Sequence, residues 1–218
     1  MKIADLRQEY MRAGLSEADV ARDPLAQFER WFDDAVGAGV PLANAMTLAT
    51  VDGGGAPSAR IVLLKGIEKG AFAFYTNYQS RKARELEARA AACLVFMWSQ
   101  LERQVRIDGT VERVSAAESD AYFATRPLGA RHSAWASPQS ERVPDRGTLE
   151  RALEAARSRY GDAPPRPPHW GGYRVQPRSI EFWQGRADRL HDRLVYTRDG
   201  ARDGARDGDG WRLVRLAP

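Results

Sequence analysis

One cysteine, Cys93, stands in 218 residues, so no internal disulfide can form and nothing in the thiol content argues for secretion. Cys93 lies in the apolar run AACLVFMW and reads as a core residue. No apolar run approaches the roughly 20 residues of a membrane-crossing helix. The opening MKIADLRQEY is charged and lacks the apolar stretch of a signal peptide, so a cytoplasmic protein is the default expectation. Although the net charge is +4, the cations are interleaved with acids, as in RKARELEAR, and no Lys/Arg block appears. That argues against nucleic acid as the partner. HxH, CxxC and HExxH spacings are missing, and His132, His169 and His191 are far apart, which disfavours a metal site. No GxGxxG follows a strand and no P-loop is present, which disfavours a dinucleotide or P-loop nucleotide fold.

What is present alternates short strands with turns. Residues 3–13 read as a helix, and Asp23-Pro24 opens a second one with apolar residues at helical spacing from Leu25 to Val36. MTLATV (46–51), SARIVLLK (58–65), AFAFYTN (71–77, after a Gly66–Gly70 turn), ACLVFMW (92–98) and 102–114 read as strands. Gly109 suggests a bulge in the last of these. Residues 80–90 read as a short charged helix. Ser115 and Glu118 form a capping box for another, 127–146 looks irregular, and 148–160 is helical up to Gly161. After a proline-rich connector (162–172), YRVQPRSIEFWQG, RLVYTR and WRLVRLA are the last strands, the final two joined by an RDG-repeat loop read as exposed. The expectation is a single domain, mainly β with flanking helices, built on an antiparallel barrel. Its parts would be N-terminal helices (1–40), barrel core (41–126), a helical or irregular connection (127–172) and C-terminal strands (173–218).

Several clusters could carry chemistry. Arg60-Ile61-Val62-Leu63-Leu64-Lys65 is an apolar strand between two cations, and by itself reads equally as a strand with snorkelling ends. Tyr75-Thr76-Asn77 followed by Ser80-Arg81-Lys82 joins hydroxyls, helix-start N–H groups and two cations that oppose the helix dipole, a combination suited to phosphate. Tyr122 and Arg126 share one face of a helix end. Arg189, His191 and Arg193 alternate, so in an extended chain they would point to one side and call for an anion. Salt bridges to Glu181, Asp188 and Asp192 are the alternative.

In order along the chain, R-I-V-L-L-K, F-Y-T-N, S-R-K, L-E-R-Q-V, Y-F-x-x-R-P, E-F-W-Q-G and R-L-H-D-R are similar to the motifs of the pyridoxine/pyridoxamine 5′-phosphate oxidases. The resemblance spans residues from about Leu6 to Pro218. It implies an FMN-binding split β-barrel, antiparallel and Greek-key-like, that works as a homodimer with FMN at the subunit interface. Arg60–Lys65, Tyr75, Thr76, Arg81 and Lys82 would hold FMN. Gln104 would reach the flavin from the partner subunit, and Gln139, Ser140, Trp183 and Arg193 would complete the contacts. Lys65, Tyr122 and Arg126 would grip the substrate phosphate, while Arg189, Leu190 and His191 would face the pyridine ring. Arg7 and Tyr10 would cover the substrate. The implied reaction takes a hydride from C4′ of a phosphorylated B6 vitamer to flavin N5, with dioxygen reoxidising the flavin to give peroxide. Arg189 and His191 would position the substrate and assist proton movement.

The chain departs from the family pattern at Ala130, where a phosphate-binding Ser is usual. Arg131, His132 or Ser133 could take that role. A related split-barrel flavoprotein with a nicotinamide or deazaflavin donor, which generally lacks R-L-H-D-R, and a non-catalytic flavin or pyridoxal-phosphate carrier are the competing readings.

Overall fold

The computed structural model describes residues 14–198 and 210–218. Arg7, Tyr10, the helix expected over 3–13 and the body of the RDG loop lie outside them. Among the described residues no helix is long and apolar enough to cross a membrane.

Asp23 caps α1 (Pro24–Gly37) by accepting from the Leu25 N–H, and Pro24 takes the first helical position, where a missing N–H costs nothing. The apolar face of α1 packs Phe28 at 5.0 Å from both Phe72 and Phe96, while Trp31 meets Phe182 edge-on at 5.2 Å. These aromatics form the centre of the core.

The strands are β1 (Ala45–Val51), β2 (Pro57–Leu63), β3 (Gly66–Glu68), β4 (Ala71–Asn77), β5 (Ala91–Trp98), β6 (Arg103–Arg113), β7 (Trp170–Gln184), β8 (Asp192–Arg198) and β9 (Trp211–Arg215). They make one antiparallel sheet ordered β2-β1-β5-β6-β7-β4-β3, with β8 on β7 and β9 on β8. Chain order and sheet order differ because β5 returns beside β1, a Greek-key-like crossover. β6 runs along one edge of β7 for nearly its full length, whereas the other edge is shared. Trp170–Val175 pairs with β4 and Ser179–Gln184 with β8. This division lets the curled sheet form a split half-barrel.

The division falls where the β6–β7 register shifts, between Asp108 and Gly109, so the expected bulge is found. A Cβ on Gly109 would sit 2.3 Å from the Gln176 carbonyl oxygen, so the close approach of the two backbones requires glycine here.

Helices α2 (Arg81–Ala88), α3 (Ala116–Thr125), α4 (Leu128–Ala136) and α5 (Arg146–Tyr160) flank the sheet. The Ser115–Glu118 capping box of α3 is present in both directions. Two expectations need correction. The stretch 127–146 is not irregular throughout, because LGARHSAWA folds as α4 without any side-chain cap. Residues 66–70 are not simply a turn. Gly66–Glu68 pairs with β4, and only Lys69 and Gly70, both with positive φ, reverse the chain.

Candidate active site

A cleft of about 660 Å³ opens between the β2 edge, β4, α2, the α3–α4 junction and the loop carrying Gln139. Lys65, Lys82 and Arg126 line it, and among the described residues no carboxylate does. Uncompensated cations of this kind favour anions. The cleft also gathers the predicted Ile61, Val62, Leu63, Tyr75, Thr76, Tyr122 and Gln139.

One wall is aromatic. Tyr75 stacks on Tyr122 at 3.9 Å and on Trp170 at 5.6 Å. The Arg126 guanidinium lies 4.5 Å over Trp170, and its Nη1 is buried without a hydrogen-bond partner among the described residues. Burial lowers the Arg126 pKa. Trp170 was not singled out in the sequence, because only tertiary stacking reveals its place. Gly172 keeps this wall open, since a Cβ there would lie 2.7 Å from the Tyr75 ring.

On the opposite side Lys82 Nζ donates to Gln139 Oε1 at 2.8 Å and to Thr76 Oγ1 at 3.2 Å. Burial, and then the charge of Arg60, lower the Lys82 pKa to about 8. The α2 N-terminus is less open than expected, because the Arg81 N–H donates to Ser140 Oγ at 3.0 Å.

Arg60 and Arg81 do not line the cleft. Both bind Glu85, Arg60 Nη2 at 3.1 Å and Arg81 Nε at 2.7 Å. Of the block 60–65, Ile61, Val62, Leu63 and Lys65 line the cleft, whereas Arg60 is turned to Glu85. Burial of Glu85 would raise its pKa, but hydrogen bonds from Ser58, Thr50, Arg81 and Arg60 outweigh that and bring it to about 2. Glu85 is thus the hub that fixes both arginines, a role the sequence showed only as a charged helix. Leu64 is buried in the hydrophobic core.

Gln104, Trp183 and Arg193 occupy a row directly across β6, β7 and β8, on the face opposite the core. His191 lies against Trp183, ring centroids 4.7 Å apart. None of these residues lines the cleft, nor do Arg189 and Leu190. Along the sheet, Ile61 shares a row through Thr47, Val95 and Arg106 with Glu181. That path crosses four strand pairings, although β2 also contacts β4, which pairs with the Trp170 end of β7. One chain therefore carries two separate clusters of predicted site residues.

The expected alternation of Arg189, His191 and Arg193 is not realised. Asp188 and Arg189 have φ of 56° and 60°, so a turn interrupts the extended chain. Arg193 is balanced by Glu181, 2.7 Å from its Nε, and that hydrogen bond raises its pKa. The three side chains do not form one unpaired cationic face.

The family model described as pyridoxamine 5′-phosphate oxidase matches residues 32–160, and the pyridoxine 5′-phosphate oxidase C-terminal dimerisation region matches 170–218. The chain belongs to the pyridoxamine 5′-phosphate oxidase family. Members are FMN-binding oxidoreductases. The chain is 59% identical over 216 residues to the pyridoxine/pyridoxamine 5′-phosphate oxidase of Burkholderia multivorans, covering 99% of each chain. It is 58% identical over 217 residues to that of Cupriavidus taiwanensis, covering 100% of this chain and 99% of the other. Among solved structures it is similar to PhzG from Burkholderia lata 383, in complex with tetrahydrophenazine-1-carboxylic acid, at 30% identity and a TM-score of 0.86, covering 97% of this chain and 100% of that one. An FMN binding protein from Nostoc punctiforme, 18% identical with a TM-score of 0.69 and covering 91% of this chain and 100% of the other, shares the fold.

Proposed function

We propose that this chain oxidises pyridoxine or pyridoxamine 5′-phosphate at C4′ to pyridoxal 5′-phosphate, with FMN held between two copies of the chain. The observation that carries the reading is a cleft lined, among the described residues, by three cations and no carboxylate, in a member of this family. Two phosphate-bearing ligands would satisfy those charges. The donor set fits FMN: Lys82, Thr76 and Gln139 offer an ammonium, a hydroxyl and an amide, which leaves Arg126 Nη1 for the substrate phosphate.

Lys82, Thr76 and Gln139 would hold the cofactor, with Arg60 and Arg81 supporting the local positive potential from their posts on Glu85. Lys65, Tyr122 and Arg126 would bind the substrate phosphate. The second cluster would serve the cleft of the other copy, Gln104, Trp183 and Arg193 toward the flavin and Arg189 and His191 toward the pyridine ring. That division suits a chain whose residues 170–218 match a dimerisation region. FMN, when bound, supplies a two-electron acceptor that dioxygen can reoxidise to give peroxide. The protein contributes orientation and charge matching, and the C4′ alcohol or amine releases its proton as the hydride leaves.

The purified chain is expected to carry, or to take up, yellow flavin. It is expected to release peroxide and form pyridoxal phosphate when given either vitamer phosphate. A protein that fails to bind FMN, or that binds it without forming pyridoxal phosphate, overturns the proposal.

A further inference from the structure

Lys65 lines the cleft, yet among the described residues no hydrogen bond or ion pair holds its ammonium. It also borders a second, mainly apolar groove of about 510 Å³, where Glu29 and Asp33 offer a cation the carboxylates that the cleft lacks. Keeping the ammonium on the cleft side is thus a task for the main chain. That main chain changes partners at this point. β2 and β3 stand at opposite ends of the strand order, and only Leu64 and Lys65 connect them. The Leu64 N–H donates to the Asn44 carbonyl at 2.8 Å, still on the β1 side, whereas the Lys65 N–H donates to the Ala73 carbonyl on β4, also at 2.8 Å.

One side chain secures this corner. Asn44 and Leu64 come next after the pair Ala45 and Leu63 in the β1–β2 register. The backbone before β1 has already turned there, since Leu42 has φ of 50° and its carbonyl accepts from the Ala45 N–H at 2.7 Å. The Asn44 side chain supplies the second bond of the pair, with Nδ2 donating to the Leu64 carbonyl at 3.1 Å. Leu64 is gripped at both its N–H and its C=O by one residue, and the C=O belongs to the peptide plane that leads into Lys65. Asn44 is anchored in turn, because the Ala43 carbonyl accepts from the buried Trp98 Nε1 at 2.9 Å. The Leu64 side chain packs in the core, so the next residue is directed away from it.

We propose that Asn44 is a positioning residue for substrate phosphate, acting through the Leu64 carbonyl to aim Lys65 into the cleft. The inference rests on the reading of Lys65 as a phosphate-binding residue. Asn44 lines the second groove and not the cleft, so it acts on the substrate through Lys65.

The first test is a double-mutant cycle on the FMN-loaded protein. N44A is expected to raise KM for pyridoxine phosphate about 3- to 10-fold, the scale of one neutral hydrogen bond, with kcat and flavin content unchanged. K65A is expected to raise KM by roughly 10- to 100-fold. The double variant should match K65A, because Asn44 then has no ammonium left to aim. A merely structural role would add the N44A penalty on top of K65A and overturn the proposal, as would a parental KM in N44A. N44S, whose hydroxyl is too short to reach the Leu64 carbonyl, replaces N44A if that variant does not fold.

The second test needs no turnover. The chain has four lysines, so reductive 13C-methylation, which keeps the charge, gives few lysine NMR signals, and K65R identifies that of Lys65 by its loss. Inorganic phosphate is expected to shift this signal in the FMN-loaded parent, and N44A should need about 3- to 10-fold more phosphate for the same shift. Equal titrations, or a parent signal indifferent to phosphate, overturn the proposal. A parent inactive on both vitamer phosphates would instead refute the functional reading, and the phosphate titration would still decide the role of Asn44.

Discussion

Lys82 Nζ donates to Gln139 Oε1 at 2.8 Å, closing a contact between residues 57 apart in the chain. Burial and the neighbouring Arg60 together hold this ammonium at a pKa of about 8, with Glu85 opposing them. If Lys82 holds the FMN phosphate as proposed, the anion binds its charged form, and the free protein must hold or acquire that proton. FMN affinity is therefore expected to fall as pH rises above 8, by up to about tenfold per unit, and to be flat in this respect below 7. K82Q should bind more weakly at neutral pH and lose the alkaline decline. Titrations by flavin fluorescence quenching between pH 7 and 9.5 check this. An unchanged decline in K82Q would assign it to another group.

Arg126 presents the opposite case, a cation with an unfilled donor. Its stack on Trp170 fixes the guanidinium plane and leaves Nη1 buried and unpartnered among the described residues. A phosphate oxygen there would gain a charge-assisted bond worth about 1.5–3 kcal/mol. R126A should raise KM for pyridoxine phosphate by roughly 10- to 100-fold while leaving flavin content unchanged. R126K should recover only part of this, since lysine neither stacks nor forks. Steady-state kinetics alongside flavin absorbance separate the two effects, and loss of flavin in R126A would move the residue to the cofactor side.

What could be read in the sequence was local. Asp23-Pro24, the Ser115–Glu118 box and the Gly109 bulge each signal through neighbouring residues, and each is found. Motif order gave the family. What failed depended on conformation at a distance. Arg189, His191 and Arg193 alternate in sequence, but two positive-φ residues break the strand that the alternation assumed. α4 was missed because LGARHSAWA has no capping side chain and a glycine at its second position. The role of Glu85 was hidden because its partners Thr50, Ser58 and Arg60 come from β1 and β2, well before α2 in the chain.

That Glu85 hub should govern acid stability. Its carboxyl goes from an ordinary value of 4.5 to about 2 on folding. A depressed carboxylate contributes stability in full above its unfolded pKa and loses it as pH falls through the folded value. The parent should therefore weaken between about pH 4.5 and 2, and E85Q should show a smaller loss across that window. At neutral pH E85Q should be less stable by about 3 kcal/mol, because two guanidiniums lose their shared partner. Urea unfolding at several pH values measures both. Parallel pH curves for the two proteins would remove Glu85 from the account.

Gly109 and Gly129 make a matched pair for testing the split in the barrel. A methyl at 109 collides with the Gln176 carbonyl, whereas a methyl at 129 meets nothing within 4 Å. G109A is expected to destabilise by about 1–3 kcal/mol or more, since backbone must move. G129A, in helix α4, is expected to be neutral or stabilising by up to about 1 kcal/mol. Thermal unfolding of the two variants against the parent checks the contrast. Equal melting temperatures would mean that the strands accommodate a side chain at the bulge.

The sequence resemblance expects a phosphate-binding Ser at the position of Ala130, and the geometry selects among its three possible substitutes. His132 is buried, with Nε2 2.7 Å from the Gly161 carbonyl oxygen. Arg131 does not line the cleft. Ser133 does line it, and its hydroxyl donates to the Ala130 carbonyl one turn back, at 3.1 Å. Such a local bond is readily exchanged for a ligand oxygen. S133A should raise KM for the vitamer phosphates about 3- to 10-fold, the scale of one neutral hydrogen bond, with kcat and flavin content unchanged. Adding A130S to S133A should restore the parent KM, because the hydroxyl returns to the same helix one turn earlier. If S133A binds substrate as well as the parent does, the subsite works through Lys65, Tyr122 and Arg126 without a serine from α4.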